Sequence, residues 1–294
     1  MELRTLRALV EVVRQGGFSQ AGKVLFATQS TVSKAVKQLE DELQLQLLDR
    51  RGPRSALTAA GEIVYRRALT MLAERDDLSA ELEELRGLKR GSLRVGFPPV
   101  GTSSLFAPMF AAFRKRYPGI DVRFAVHGST RLEELLLAGE IDLAALVLPV
   151  EHEFELLEVS VEPLLALVPR DHAIAGKKKT DLARLSGSPF ILFEEGFALN
   201  RIILQACQRR GFQPSIAARS GQIDFIIELV AAGFGVSFLP RALAERRRHP
   251  SVRHVLLDEP RVRWHIALGW RRAGYMSHAA RAWLDLAREI YGGA

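Results

Sequence analysis

The chain has a single cysteine, Cys207, in 294 residues. One thiol cannot form an intramolecular disulfide or a four-cysteine metal site, and this usage fits a reducing cytosol. Long apolar runs are also missing. The richest stretch, IDFIIELVAAGFGVSFL, is broken by Asp224, Glu228 and two glycines, so no membrane span is expected. The opening MELRTLRALVEVV carries early charges and no cleavage signature. No signal peptide is expected, which places the chain in the cytoplasm. H-E-x-x-H, G-x-S-x-G and P-loop motifs are absent, and the seven histidines show no metal-ligand spacing. The expectation is therefore a protein that is not an enzyme and needs no cofactor or metal. Gly233-Phe-Gly235 matches part of a dinucleotide fingerprint. It follows a helical pattern and precedes a strand, the reverse of the order phosphate binding requires.

What is present is ordinary for a soluble globular chain, with 48% hydrophobic and 26% charged residues. Such a length exceeds one core, so two or three domains are expected. The net charge is +7. Residues 1–70 hold 11 Lys and Arg against 7 Asp and Glu, whereas residues 71–294 hold 30 against 27. More than half of the excess thus falls in the first quarter of the chain, a weak pointer to a polyanion there.

Residues 2–57 read as short helices. Leu3, Leu6, Leu9 or Val10, and Val13 recur at helical spacing and stop at Gly16-Gly17. Ser19 is expected as the N-cap of a second helix and Thr28 as the N-cap of a third. In that third helix Val32, Val36, Leu39 and Leu43 form the apolar stripe, and Ser30, Ser33, Lys34 and Lys37 lie opposite. Its second half is acidic, with Glu40, Asp41 and Glu42. Two short helices joined by a tight turn, the second with a polar, basic start, make a helix-turn-helix. A small three-helix core with a solvated face accounts for the same residues equally well. The next segment, LLDRRGPRSALT, tips the balance. It reads as two short strands around a Gly-Pro turn with Arg50, Arg51 and Arg54 near the tip. A basic hairpin in that place is a wing suited to phosphates or the minor groove, although an ordinary basic turn is the alternative.

Residues 58–89 form one long helical stretch. Val64, Ala68, Met71, Leu78, Leu82 and Leu85 make a heptad-like row that Arg75 interrupts. A helix of roughly 30 residues spans about 45 Å and has no partner of its own in the sequence, so a second copy is the expected partner. From Ser92 onward, strand-like and helical patterns alternate as βαβαβ, then repeat, which implies two α/β subdomains built on mostly parallel sheets with a cleft between them. Ligands in such folds lie beyond the carboxyl ends of strands, at helix N-termini. Those places hold Thr102, Ser103 and Ser104, then Ser129 and Thr130, with Phe197, Asn200 and Gln222 from the second subdomain. Hydroxyls at helix starts suit a carboxylate or similar anion, and simple N-capping explains each one singly. Cys207 lies in a helical stretch and suits packing. A redox role would lack a resolving thiol. Arg246, Arg247 and Arg248 read as a solvated helix end or a subunit contact.

The stretch GGFSQAGKVLFATQSTVSKAVKQLEDELQLQLLDRRGPRSALTAAGE resembles the N-terminal winged helix-turn-helix of LysR-type transcriptional regulators. The likeness rests on the Phe-Ser start, Gln-Ser-x-Val-Ser, Gln-Leu-Glu-x-Glu-Leu and Leu-Thr-x-Ala-Gly. Members usually carry Gly where this chain has Gln44, Phe at Leu48 and Ala at Gly22. The resemblance implies a winged helix-turn-helix domain over 1–58, a linker and dimerisation helix over 59–90, and an effector-binding domain over 91–294. That last domain is α/β and periplasmic-binding-protein-like. Its subdomain I covers about 91–160 and 267–294, and subdomain II about 161–266. It also implies a dimer of dimers on an inverted-repeat promoter site, with RNA polymerase as a further partner. Gln29, Ser30, Thr31, Ser33, Lys34 and Lys37 are then the groove-facing residues, with the acidic half of the helix kept from phosphates and the wing arginines adding salt-dependent affinity. Thr102, Ser103, Ser129, Thr130, Phe197, Asn200 and Gln222 are the effector residues. The competing reading is a small-molecule-binding protein or enzyme carrying a basic N-terminal domain.

Overall fold

A computed structural model describes residues 1–49, 56–85, 92–150, 154–272 and 274–292, without the side chains of residues 80, 83–85, 103 and 104. The chain divides into two compact units, one built on the first 88 residues and one on most of the remainder.

The first unit runs α1 (Leu3–Arg14), α2 (Phe18–Val24), α3 (Gln29–Leu43), β1 (Leu48–Asp49), β2 (Ala56–Leu57) and α4 (Ala59–Leu85). Val32, Val36 and Leu39 of α3 share one buried cluster with Leu6, Leu9 and Val10 of α1 and Leu69 and Leu72 of α4. The period-3.6 stripe of α3 is thus the face that the core covers. α2 meets α3 through a tight turn over residues 25–28 that packs back on Gly22 of α2. A Cβ there would lie 2.7 Å from the Ala27 carbonyl oxygen. Glycine at this position permits a close approach of backbone to backbone, so its cost in helix propensity is offset by a fit that alanine lacks. β1 and β2 pair antiparallel, Leu48 opposite Leu57 and Asp49 opposite Ala56. The hairpin tip, residues 50–55 with Arg50, Arg51 and Arg54, lies outside the described residues.

Two residues at the end of α3 have roles that the linear pattern does not convey. Gln44 adopts the left-handed conformation at φ 53°, ψ 32°, where the family usually has Gly. Its side-chain Nε2 donates to the Asp41 carbonyl at 2.6 Å, which partly offsets the strain. Gln44→Gly should raise the stability of this unit by about 0.5–1 kcal/mol. Amide exchange of α3 in the full chain measures it, and faster exchange would mean that the lost side-chain bond outweighs the strain. Glu40 is not a solvated repeller of phosphate. Its Oε1 accepts from the backbone N–H groups of Leu47 (2.9 Å) and Leu48 (3.2 Å), fixing the entry to β1. Charge-assisted bonds of this kind are among the stronger ones.

In α4 the heptad-like row divides. Tyr65, Ala68, Leu69 and Leu72 are buried in the unit's own core, while Met71, Leu78 and Leu82 are exposed. Val64 is half-buried against the core. The side chain of Leu85 lies outside the described residues.

The second unit comprises β3 (Ser92–Phe97), α5 (Ser103–Arg116), β4 (Asp121–Val126), α6 (Ser129–Leu137), β5 (Leu143–Val147), β6 (Phe154–Glu162), β7 (Leu164–Pro169), β8 (Lys179–Thr180), β9 (Phe190–Leu192), α7 (Ala198–Arg209), β10 (Ile216–Arg219), α8 (Ile223–Ala231), β11 (Ser237–Pro240), α9 (Arg241–Arg246), β12 (Val252–Leu257), β13 (Trp264–Arg271) and α10 (His278–Tyr291). One sheet has the order β4-β3-β5-β13-β6 and a second β11-β7-β12-β8, with β9 and β10 as a separate parallel pair. The expectation of mostly parallel sheets needs correction. β3, β4 and β5 are parallel, but β13 and β6 run antiparallel in the first sheet, and β7 is antiparallel to both of its neighbours in the second. The chain leaves the first sheet after Glu162, builds the second lobe, and returns as β13, so hairpin-like entries replace helical crossovers there. Trp283 of α10 is fully buried against Phe110 and Phe113 of α5, with ring centroids at 4.6 and 5.0 Å.

Candidate nucleic-acid interface and ligand cleft

Gln29, Ser30, Thr31, Lys34 and Lys37 are exposed and Ser33 is half-buried. Ser30, Ser33, Lys34 and Lys37 project from the side of α3 opposite Val32, Val36 and Leu39, because residues three, four and seven positions apart return to one face. Thr28 shapes the start of this face. Its Oγ1 accepts from Thr31 N at 3.2 Å and lies 2.9 and 2.8 Å from the hydroxyls of Ser30 and Thr31. The three hydroxyls thus form one network at a helix N-terminus, a place that favours phosphate oxygens. Among the described residues neither Lys34 nor Lys37 has a carboxylate partner.

α3 and the wing are anchored to α4 by the Leu-Thr-x-Ala-Gly segment. Thr58 Oγ1 accepts from Gly61 N at 3.0 Å and donates to the Gln46 carbonyl at 2.6 Å, and Thr58 N donates to the Leu47 carbonyl at 3.0 Å. Gly61 rests on that same Leu47 carbonyl, where a Cβ has no room.

In the second unit, four loops meet at one cleft. β3 and β4 are adjacent and parallel, and His127 N donates to the Phe97 carbonyl, so the loops leading to α5 and α6 leave from one end of the sheet. β9 and β10 form the matching parallel pair across the cleft, and Ser220 N donates to the Leu192 carbonyl. The lobes touch where a Cβ on Gly128 would lie 2.8 Å from the Gly196 carbonyl oxygen, and where Arg201 Nη2 donates to the Pro149 carbonyl at 2.7 Å. The starts of α5, α6, α7 and α8 therefore face a shared space.

Within it the expected ligand residues divide. Thr130 and Gln222 are exposed, Phe197 is half-buried and stacked on Phe193 (5.2 Å, 14°), and Ser129 is buried at the start of α6. Thr102 is buried and its hydroxyl donates to the Pro98 carbonyl at 2.7 Å, so it shapes its loop rather than capping α5. The Ser103 side chain lies outside the described residues. Asn200 requires a correction. Its Oδ1 accepts from Phe193 N at 3.0 Å, and its Nδ2 donates to the carbonyls of Phe193 and Glu194, both at 2.9 Å. The amide is committed to holding the loop that carries Phe197, and both of its donor hydrogens are used.

Comparison with known proteins agrees with this architecture. Residues 3–62 match the family model described as bacterial regulatory helix-turn-helix protein, lysR family, and residues 86–291 match the LysR substrate binding domain. The chain belongs to the LysR-type transcriptional regulators. The regulator is 34% identical over 286 residues to the uncharacterized HTH-type transcriptional regulator YwbI of Bacillus subtilis, covering 97% of this chain and 95% of that one. It is 32% identical over 245 residues to the transcriptional dual regulator GltC of the same organism, covering 82% and 81%. Among solved structures, full-length BenM aligns at a TM-score of 0.61 and 23% identity, covering 100% of this chain and 97% of that one. Full-length CbnR in complex with its target DNA aligns at a TM-score of 0.56 and 23% identity, covering 98% and 99%. At these identities the two structures establish a shared fold. The regulator is therefore a DNA-binding protein with an effector-binding domain, and the competing reading is not favoured. Among the described residues, no helix is long and apolar enough to cross a membrane, and no group of acidic, histidine or cysteine side chains could hold a metal.

The structure also brings forward residues that sequence reasoning passed over. Trp264, at the start of β13, is 1% exposed, and its Nε1 has no hydrogen-bond partner among the described residues. It packs beneath Gly101, which has φ +77° and whose Cβ would lie 2.6 Å from that nitrogen. Arg201 was hidden in an ordinary amphipathic helix, and its inter-lobe bond had no signal in the linear pattern. Cys207 is fully buried, and burial, followed by the charge of Glu259, pushes its thiol up to about 11. At neutral pH this regulator holds almost no thiolate there, so a thiol reagent should label Cys207 only as fast as the domain opens. Labelling within seconds under native conditions would overturn this.

Proposed function

We propose that the regulator inserts the start of α3 into the major groove, reading bases and phosphates with Gln29, Ser30, Thr31, Ser33, Lys34 and Lys37. Arg50, Arg51 and Arg54 of the wing hold adjacent phosphates. The observation that carries this reading is the α3 face itself, with its hydroxyl network and two cations lacking carboxylate partners opposite the buried stripe. Met71, Leu78 and Leu82 form an exposed apolar row that a second copy's α4 would cover, giving a dimer and then a dimer of dimers on an inverted-repeat site. The division into residues 1–58, 59–90 and 91–294 follows from the same reading. A small anionic effector occupies the cleft, contacted by Ser129, Thr130, Phe197, Gln222 and the α5 start at Thr102 and Ser103, while Asn200 keeps the loop in shape. Such a ligand alters DNA binding by favouring one arrangement of the assembly over another. The chain acts without catalysis, in the cytoplasm, with RNA polymerase as a further partner.

Binding to the DNA upstream of the protein's own gene tests the interface. Lys34→Ala should weaken specific binding by about 1–3 kcal/mol, the range for losing a base contact, and Arg51→Ala should lower the salt slope by about one. Unchanged affinity and unchanged slope in both variants would refute the assignment.

A further inference from the structure

The Arg-Arg-Arg-His-Pro run that begins at the last residue of α9 serves neither the groove-facing helix nor the cleft. Arg247 pairs with Asp224 at 2.9 Å, and His249 lies 3.7 Å from Glu228. Arg248 turns elsewhere, to the rim of a cavity of about 610 Å³ on the second lobe's sheet. The floor is apolar, formed by Leu165 of β7 and by Val252 and Leu256 of β12. These residues share one face of the sheet because Leu256 is paired with Leu165, and Val252 is four residues away on the same strand.

The rim is strongly cationic. Lys178, Arg241, Arg248 and Arg253 border the cavity with Glu245 as the one carboxylate, a net of +3 with the histidines neutral. Arg253 is folded back, its Nη1 donating to the Pro250 and Val252 carbonyls at 3.0 and 3.3 Å. Lys178, Arg241 and Arg248 form no close ion pair among the described residues, although Arg241 lies near enough to the Glu162 carboxylate to favour its charged form, and their neighbours are paired. Lys179 is bound to Asp258 at 2.7 Å and Arg247 to Asp224. His254, on the same strand as the floor residues, lines the cavity, and its Nε2 is shielded from solvent without a hydrogen-bond partner among the described residues. Its pKa is pushed down, first by burial and then by the charge of Arg248, with Glu245 acting the other way. An excess of cations around a concavity raises the local concentration of anions, and an apolar floor adds a surface for a carbon skeleton.

We propose that this cavity is a second ligand site of the regulator, separate from the inter-lobe cleft. It takes a small organic dianion, a phosphomonoester or a dicarboxylate. Lys178, Arg241 and Arg248 hold the anionic groups, and the carbon skeleton lies on Leu165 and Leu256. Arginine and lysine together suit such a ligand because the guanidinium fork and the ammonium point charge can share its oxygens.

Calorimetric titration of the full-length protein tests this, with glycerol 3-phosphate, glutarate, inorganic phosphate and uncharged glycerol as probes. At least one of the two organic dianions should bind saturably, and tighter than inorganic phosphate, whereas glycerol should not bind. Which of the two binds decides between phosphomonoester and dicarboxylate. Lys178→Ala combined with Arg248→Ala should weaken binding by about tenfold or more. Both residues lie on the rim rather than in the core, so the variant is expected to keep the wild-type melting temperature. Should it not, Arg248→Glu alone, which reverses one rim charge, must still abolish binding. Ser129→Ala and Gln222→Ala, in the cleft, should leave this binding unchanged. The proposal is overturned if no dianion binds, if the rim variants bind as the wild type does, or if the cleft variants remove the binding. It is equally overturned if the rim variants weaken only DNA binding, since the cations would then serve a polyanion.

Discussion

Gly61→Ala should destabilise the N-terminal unit by about 3 kcal/mol, the upper end of the usual cost of overpacking, and should remove DNA binding with it. The added Cβ would fall within the Leu47 carbonyl oxygen, 2.9 Å from the carbonyl carbon and 3.0 Å from Leu57 Cδ2. Two of these three neighbours are backbone atoms, and the Leu47 carbonyl is fixed by its bond from Thr58 N, so no flexible side chain can give way. The strain must move α4 off the hairpin or pull the hairpin from α3. Either shift disturbs Leu47, which is fully buried in the unit's core, and Glu40, which holds the Leu47 and Leu48 amides. Amide exchange across α1–α3 in the full-length protein reports the loss locally, with DNA affinity as the second readout. Native exchange rates together with native affinity would show that the close approach carries no weight. Gly119→Ala is the control, because nothing lies within 4 Å of a Cβ at that position.

Asn200→Leu should cost about 2–4 kcal/mol of stability in the effector-binding unit, since it leaves the buried Phe193 amide without its acceptor and removes a donor from the Phe193 and Glu194 carbonyls, the first of which keeps only the 3.4 Å bond from Arg219. The size and shape of the side chain are nearly kept, so the loss reads hydrogen bonding rather than a cavity. Asn200→Asp separates the two functions of the amide. It keeps an acceptor for Phe193 N but sets a carboxylate against two carbonyl oxygens, and it should be destabilising too. Thermal unfolding followed by tryptophan fluorescence measures both, because Trp264, Trp270 and Trp283 all belong to this unit. If Asn200→Leu unfolds as the wild type does while ligand binding is lost, the residue is a ligand contact after all and the structural role assigned here is wrong.

Much of the first unit was legible in the linear pattern because its signals are local. The α3 stripe of Val32, Val36 and Leu39, the Thr28 cap and the Gly16 stop each depend on residues within a few positions. The second unit was harder to read. β6 (FELLEVSVE) carries three glutamates among its apolar residues and lacks strict alternation, so its strand signal is diluted. β12 (VRHVLL) ends in two adjacent leucines. Both become strands because β13 and β7 offer complete ladders of backbone partners.

The sequence by itself determined the family, the order of elements in the first unit and the amphipathic pattern of α3, since caps, periodicity and turn residues act over a few neighbouring positions. The tertiary structure alone decided which distant group each side chain meets. It turned Glu40 from a solvated charge into a clamp on β1, committed the Asn200 amide to the Phe193 loop, explained Gly61 by the Leu47 carbonyl beneath it, and separated Arg248 from its neighbours to face a cavity. The physical reason is reach. Hydrogen bonds and close contacts form between groups a few ångströms apart in space, whereas the partners of these residues lie well beyond one helical turn along the chain, brought near only by the turns and sheets in between.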